Sequence, residues 1–219
     1  ESEARRTVAR KSGELLVDLL DQDLRPSDVL TRAAFENAIA LQAAIGGSTN
    51  AVLHLLALAD EVGVDLELAD FDRISRRTPH VCDLKPGGTY VMVDLHENGG
   101  VPAVLARLLD GGLLHGDAPT LTGRTMRAEL AAHDPPEPDP EVVRPLDDPI
   151  HENGAIAVLY GNLAPDGAVM KLSGYGETYA ACGPARVFDS QEAAMSAVME
   201  GAVQGGDVVV LRHEGPQGG

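Results

Sequence analysis

The sequence predicts an α/β protein in two parts: a helix-rich α/β part, then a mainly β barrel or sandwich with one crossover helix. Three observations carry this. Apolar residues recur at helical spacing through most of residues 1–130. The run HDPPEPDPE at 133–141 sets four prolines among four acids, a composition that sustains neither a helix nor a ladder. After it come short β-rich runs separated by turn signals. The expected organisation is an α/β domain over 1–132, a proline-rich linker over 133–145 and a partial β domain over 146–219.

Residues 1–22 read as a helix with Leu15, Leu16, Leu19 and Leu20 as its apolar stripe, ended by Arg25-Pro26. Thr31 can cap a second helix, in which Ala34, Ala38, Leu41 and Ile45 share a face. Gly46-Gly47 breaks it. Ser48, Thr49 or Asn50 can cap a third helix, carried by Ala51, Leu55, Leu58 and Val62 and stopped at Gly63. A short helix is expected from Asp70, burying Phe71 and Ile74 and ending before Pro79. Thr89 to Val93 has strand character. A helix bearing Val101, Val104, Leu105 and Leu108 follows Gly99-Gly100, and a last one spans Thr122 to Leu130, capped by Thr122 or Thr125.

Beyond the linker, strands are expected at 155–160, 168–172, 185–188 and 208–211. Pro165-Asp166-Gly167 and Gly205-Gly206-Asp207 supply turns. Asp189 with Glu192 forms a capping-box pattern for one helix that stops at Gly201. The chain ends on EGPQGG at 214–219, directly after an apolar strand, which reads as a domain cut short.

Composition narrows the function classes. The 219 residues are 44% hydrophobic and 23% charged, ordinary for a globular protein, and no apolar run approaches the roughly 18–20 residues of a membrane span. No apolar leader opens the sequence, so the expected compartment is the cytoplasm. A net charge of −17 with only three lysines argues against nucleic acid as a partner. The two cysteines, Cys82 and Cys182, belong to no ligand-spaced cluster and read as reduced thiols; an iron–sulfur cluster needs three or four thiolates.

Gly46-Gly47-Ser48-Thr49-Asn50 is the foremost candidate site. Two glycines allow close backbone approach, and the N–H groups of the following helix start favour an anion such as a carboxylate or phosphate. The same residues equally make a tight interhelical turn with an ordinary cap. Asp94, His96 and Glu97 fall in one expected post-strand loop, open to a metal or acid–base role or to none. His54, on an apolar helix, reads as a core or interface histidine; His115, His151 and His213 are isolated. Gly161 to Gly167 suits a hairpin turn, and Glu214 to Gly219 has the glycine density of a loop closing over a ligand.

Seven stretches in order extend the reading: LTRAAFENAIALQAAIGGSTNAVLHLLALA (30–59), PHVCDLKPGGTYVMVDL (79–95), GGVPAVLARLLDGGLLHGD (99–117), TLTGRTM (120–126), GNLAPDGAVMK (161–171), GPARVFDS (183–190) and GDVVVLRHEGPQGG (206–219). Together they resemble the dihydroxy-acid and sugar-acid dehydratase family. The resemblance implies an enzyme that removes water from a 2,3-dihydroxy carboxylic acid to give a 2-oxo acid. An iron–sulfur cluster would act as Lewis acid on the leaving hydroxyl, magnesium would hold the carboxylate and 2-hydroxyl, and a serine alkoxide would take the C2 proton. It also implies an aconitase swivel-like β domain after the linker and a homodimer or higher homo-oligomer. The family's cluster cysteines and most of its magnesium ligands lie N-terminal to the matched region. Its last magnesium glutamate and its serine lie beyond the Glu-Gly-Pro-x-Gly-Gly motif. Cys82 and Cys182 match no ligand position, so no catalytic, cofactor or metal residue carries over, and the chain alone is expected to be inactive. PHVCDLKPGG, GGLLHGD and TLTGRTM are closest in texture to the enzyme of branched-chain amino-acid biosynthesis. A sugar-acid dehydratase acting on gluconate, arabinonate or 6-phosphogluconate, or a non-catalytic scaffold of the same fold, are the alternatives.

Overall fold

The computed structural model describes residues 3–172 and 180–215. Helix α1 (Glu3–Asp21) buries Leu19 at 9% exposure, but Leu16 and Leu20 stay 59% and 72% exposed, so only part of the expected stripe is covered. A single turn, α2 (Pro26–Val29), leads to α3 (Arg32–Ile45), where Thr31 Oγ1 accepts the N–H of Ala34 at 3.3 Å.

Helix α3 is central. It packs against α4 (Asn50–Glu61), α5 (Leu68–Arg77) and α7 (Gly100–Asp110). Contact on several sides explains why its buried positions are Phe35, Ile39, Ala40, Ala43 and Ala44, not the single face Ala34, Ala38, Leu41 and Ile45. In α4 the inward stripe is Val52, Leu55, Leu56 and Ala59. Leu58 is 46% exposed, so the expected stripe was rotated by about one position; apolar residues on both sides of this helix make the face ambiguous. Helix α5 begins at Leu68, two residues before the expected start, because Asp70 works from inside the first turn, its carboxylate accepting the Glu67 N–H at 2.9 Å. Phe71 and Ile74 are fully buried, each contributing about 1.5–3 kcal/mol.

The expected strand at 89–93 is not formed. Tyr90 makes one isolated bridge to Leu84, and α6 (Met92–Glu97) begins directly after it. The Asp94 carboxylate accepts the Val91 N–H at 2.7 Å and starts the helix, overriding the β preference of Val91 and Val93. Helix α6 packs on α7 and α7 on α8 (Met126–His133), which starts after Thr122 because Thr125 is the residue whose hydroxyl accepts the Ala128 N–H.

The proline-rich segment lies along α7. Pro138, Val142 and Val143 are buried, and the Arg107 guanidinium donates to the carbonyls of Val143 (2.6 Å) and Arg144 (2.8 Å) and to the Glu137 carboxylate. Strands β1 (Ile156–Leu159) and β2 (Ala168–Lys171) pair antiparallel, Leu159 opposite Ala168, with Gly161 to Gly167 as the turn between them. β1 packs on α5, and Ile156 and Val158 join the core formed by Ile39, Phe71, Ile74, Leu95 and Val104.

The chain divides by contacts into units Glu1–Gly174 and Tyr175–Gly219. In the second, β3 (Ala185–Phe188) and β4 (Val208–Leu211) pair in parallel, joined through α9 (Gln191–Met199), the crossover that parallel strands require. Ser190, not Asp189, caps α9 by accepting the Ala193 N–H at 3.2 Å, and Glu214 accepts the Gln191 N–H at 2.7 Å. The β-rich part is thus mixed α/β: two open two-stranded sheets, and no closed barrel among the described residues. No described helix is long and apolar enough to cross a membrane.

Candidate functional site

The turn from Gly46 to Asn50 leaves α3 and enters α4. Gly46 takes φ +65°, the left-handed geometry that ends a helix, and its N–H and that of Gly47 both donate to Gln42 O. A Cβ on Gly47 would lie 2.9 Å from Gln42 Cγ, so this glycine is needed for the close approach of the Gln42 side chain. That buried side chain donates through Nε2 to Ser48 O at 2.8 Å. Ser48 Oγ accepts the Asn50 N–H at 3.2 Å, and the Ser48 and Thr49 carbonyls start the helix by accepting from Ala51 and Val52. Thr49 makes no side-chain cap. Ser48 and Asn50 lie on the surface, the other three half-buried. The five residues therefore meet the requirements of a tight interhelical turn, and they present an exposed helix start.

This turn is held in place by its neighbours. The Ala44 carbonyl, at the last turn of α3, accepts N–H groups from Val81 (2.9 Å) and Cys82 (3.2 Å), and the Ala43 carbonyl accepts from Ala155 (3.0 Å). Two extended segments thus grip the end of the helix that feeds the turn. Two clefts are lined by other residues. One of about 680 Å³ runs between α7, α8 and the proline-rich segment past Arg107 and Arg127. Another of about 580 Å³ is lined by Asp83, Tyr90, Glu141 and Arg144.

A cluster of charges joins α3, α5 and the loop after α7. Glu36 accepts from Arg32 (3.2 Å) and Arg73 (2.8 Å) on one oxygen and meets His115 Nε2 at 2.6 Å on the other. Asp70 pairs with Arg73 at 2.8 Å and with Arg32. Asn37 fixes the His115 main chain from both sides, accepting its N–H at 2.7 Å and donating to its carbonyl at 3.1 Å. Burial pushes the Glu36 carboxyl up, but hydrogen bonds from His115, Arg73 and Arg32 outweigh it and hold the group at about 2. A carboxylate so fully paired is a clamp, not a proton acceptor.

His115 and His151 therefore have partners that sequence spacing did not show. His151 stacks on His80, ring centroids 5.8 Å apart. His54 is exposed, so it is not a core residue. Asp94 is spent on helix α6, and His96 and Glu97 are exposed on that helix and not in a loop. Of the glycine-dense end, Glu214 caps α9, and residues 216–219 lie outside the described residues.

Among the described residues the donor set fits neither an iron–sulfur cluster nor magnesium. Cys82 is fully buried, and burial pushes its thiol up to about 12, the reverse of what a thiolate ligand needs. Cys182 is exposed in the other unit, and among the described residues no group of three or more His, Cys, Asp or Glu side chains is placed to hold a metal ion.

Comparison with known proteins places this frame. The family model described as dihydroxy-acid/6-phosphogluconate dehydratase N-terminal matches residues 1–129, and its C-terminal counterpart matches 141–219. The chain belongs to the dihydroxy-acid/6-phosphogluconate dehydratase family. Within it, the chain is 56% identical to the dihydroxy-acid dehydratase of Natronomonas pharaonis and 57% identical to that of Haloarcula marismortui, in each case over 100% of the chain and 38% of the relative. It is 57% identical to the dihydroxy-acid dehydratase of Roseiflexus castenholzii over 97% of the chain and 38% of that protein. The chain thus spans about two-fifths of the length of these curated relatives.

Proposed function

We propose that the chain is part of a hydro-lyase that converts 2,3-dihydroxy carboxylic acids to 2-oxo acids, as the dihydroxy-acid dehydratase of valine, isoleucine and leucine biosynthesis. The observation that carries this reading is identity of 56–57% along the whole chain to proteins bearing that name. In the reaction the C2 proton and the C3 hydroxyl leave as water, and the resulting enol becomes the 2-oxo acid. The iron–sulfur cluster and magnesium that the family resemblance implies find no ligand set among the described residues, so we assign their ligands to sequence outside this chain and route no step through its residues.

The chain's own part is a frame. Clamped α3 leads into the turn at Gly46, Gly47, Ser48, Thr49 and Asn50, which we assign a place close to the substrate, the surface side chains of Ser48 and Asn50 suited to hydrogen-bond a carboxylate. Residues 146–219 are assigned to a swivel-like β domain completed by further sequence, with 133–145 as the connection from 1–132. A cytoplasmic homodimer or higher homo-oligomer, free of nucleic acid and membrane, completes the reading.

The family description also names 6-phosphogluconate, so a sugar-acid dehydratase is the second reading. Assay of the anaerobically reconstituted full-length protein on 2,3-dihydroxy-3-methylbutanoate, gluconate and 6-phosphogluconate separates the two. Release of the branched 2-oxo acid as the preferred reaction is expected. Preference for a sugar acid would transfer the assignment to the second reading, and failure on every substrate with a full cluster would favour a non-catalytic scaffold.

A further inference from the structure

His80 has no part in the proposed reaction, yet it is a titratable ring at 5% exposure, and its Nδ1 has no hydrogen-bond partner among the described residues. Its main chain forms an isolated antiparallel bridge with His151: the His80 N–H donates to His151 O at 3.0 Å and the Ile150 N–H to His80 O at 2.9 Å. The two rings lie over one another, 5.8 Å between centroids and 21° between planes. The bridge ties residues 79–84, which grip the end of α3 through Val81 and Cys82, to residues 149–155, which lead into β1.

We propose that His80 and His151 form an acid-released staple: while the His80 ring is neutral they hold these two segments together, and proton uptake at that buried ring opens the bridge. A histidinium needs both ring N–H groups satisfied, and an unpaired buried cation is among the costliest groups a core can hold. Burial disfavours the charge first, then His151 across the bridge and Lys171 on β2, while the Cys82 main chain and the Asp83 carboxylate pull the other way. The sum holds the ring at about 4, below its ordinary 6.5. Once the bridge opens, the ring recovers its ordinary affinity for protons. Opening is therefore favoured as pH falls from 6.5 towards 4, and above 6.5 the staple is closed at full strength. Because Val81 also accepts from Arg144 N at 2.7 Å, release loosens residues 142–145 as well.

Hydrogen–deuterium exchange of the full-length protein at about pH 7.5 and about pH 5, corrected for intrinsic rates, tests this, with protection in residues 79–84 and 149–155 expected to fall about tenfold at the lower pH. Helix α7 (100–110) should stay unchanged. In His80→Phe, which keeps an aromatic ring and cannot titrate, the difference should vanish; in His151→Phe, which leaves His80 to titrate, it should persist. Equal protection at both pH values in the wild type would overturn the proposal even if His80→Phe fails to fold. So would a response that survives in folded His80→Phe or disappears in His151→Phe.

Discussion

The N–H of Ala155 donates to the carbonyl oxygen of Ala43 at 3.0 Å, joining the entry to β1 to the last turn of α3 across more than a hundred residues of sequence. The preceding residue, Gly154, lets the two approach: its N–H donates to Ser75 O at 2.8 Å, and a Cβ there would lie 2.6 Å from both Ala43 Cβ and Ser75 Oγ. Gly154→Ala is expected to lower stability by about 1–3 kcal/mol through overpacking. Gly13→Ala, in α1 with nothing within 4 Å of the added methyl, should raise it by about 0.5–1 kcal/mol. Chemical denaturation of the two variants of the full-length protein beside the wild type reads both signs.

Ser75 extends the same junction. Its hydroxyl, buried at 2% exposure, donates to the carbonyl of Ile156. Ser75→Ala should destabilise by about 1–3 kcal/mol, because a buried carbonyl loses its partner. A shift in denaturation midpoint no larger than that of an exposed control such as Ser12→Ala would count against this role; Ser12 only donates to Val8 O at 3.0 Å on the surface.

Glu36 links α3, α5 and the His115 loop electrostatically. Its carboxyl is held at about 2 against an ordinary 4.5, so its stabilising contribution is fully present above 4.5 and is lost as pH falls from there towards 2. Glu36→Gln should be less stable at neutral pH by about 1–3 kcal/mol and should lose stability less steeply through that acid window. Urea midpoints measured at a series of pH values for both proteins decide it; parallel curves would exclude Glu36 as a source of the acid sensitivity.

The glycine turn predicts a split between binding and stability. Under the proposed activity, Ser48→Ala and Asn50→Ala in the full-length protein are expected to raise KM for the dihydroxy acid. Ser48→Ala should also cost about 0.5–1 kcal/mol through loss of the Oγ contact to the Asn50 N–H. Steady-state kinetics beside thermal unfolding separate the effects. Unchanged kinetics with lowered stability would leave the turn a cap and nothing more.

Much of this was legible in the sequence because it is local. Thr31 and Thr125 cap the helices whose periodicity points to them, Gly46 ends α3, and Pro165-Asp166-Gly167 lies in the turn of the β1–β2 hairpin. The strand expected at 89–93 fails for an equally local reason, since the Asp94 side chain binds the Val91 N–H and decides for helix. The rest is not local. Nothing in spacing links Glu36 to His115, or His80 to His151, and the burial of α3 on several sides follows from neighbours that periodicity cannot see. The Gly46–Asn50 turn was visible as a motif, while the hydrogen bond from Gln42 that shapes it depends on how the turn folds back.

In the proposed reading this chain supplies the frame of a dehydratase, and the metal ligands lie outside it. Iron and acid-labile sulfide, measured on the 219-residue chain after anaerobic reconstitution and beside the full-length protein treated identically, test that most directly. A full cluster is expected in the full-length protein and only substoichiometric iron and sulfide in the chain, whose Cys82 is buried and whose Cys182 has no second thiolate within its own unit. A stoichiometric cluster on the chain alone would contradict that reading.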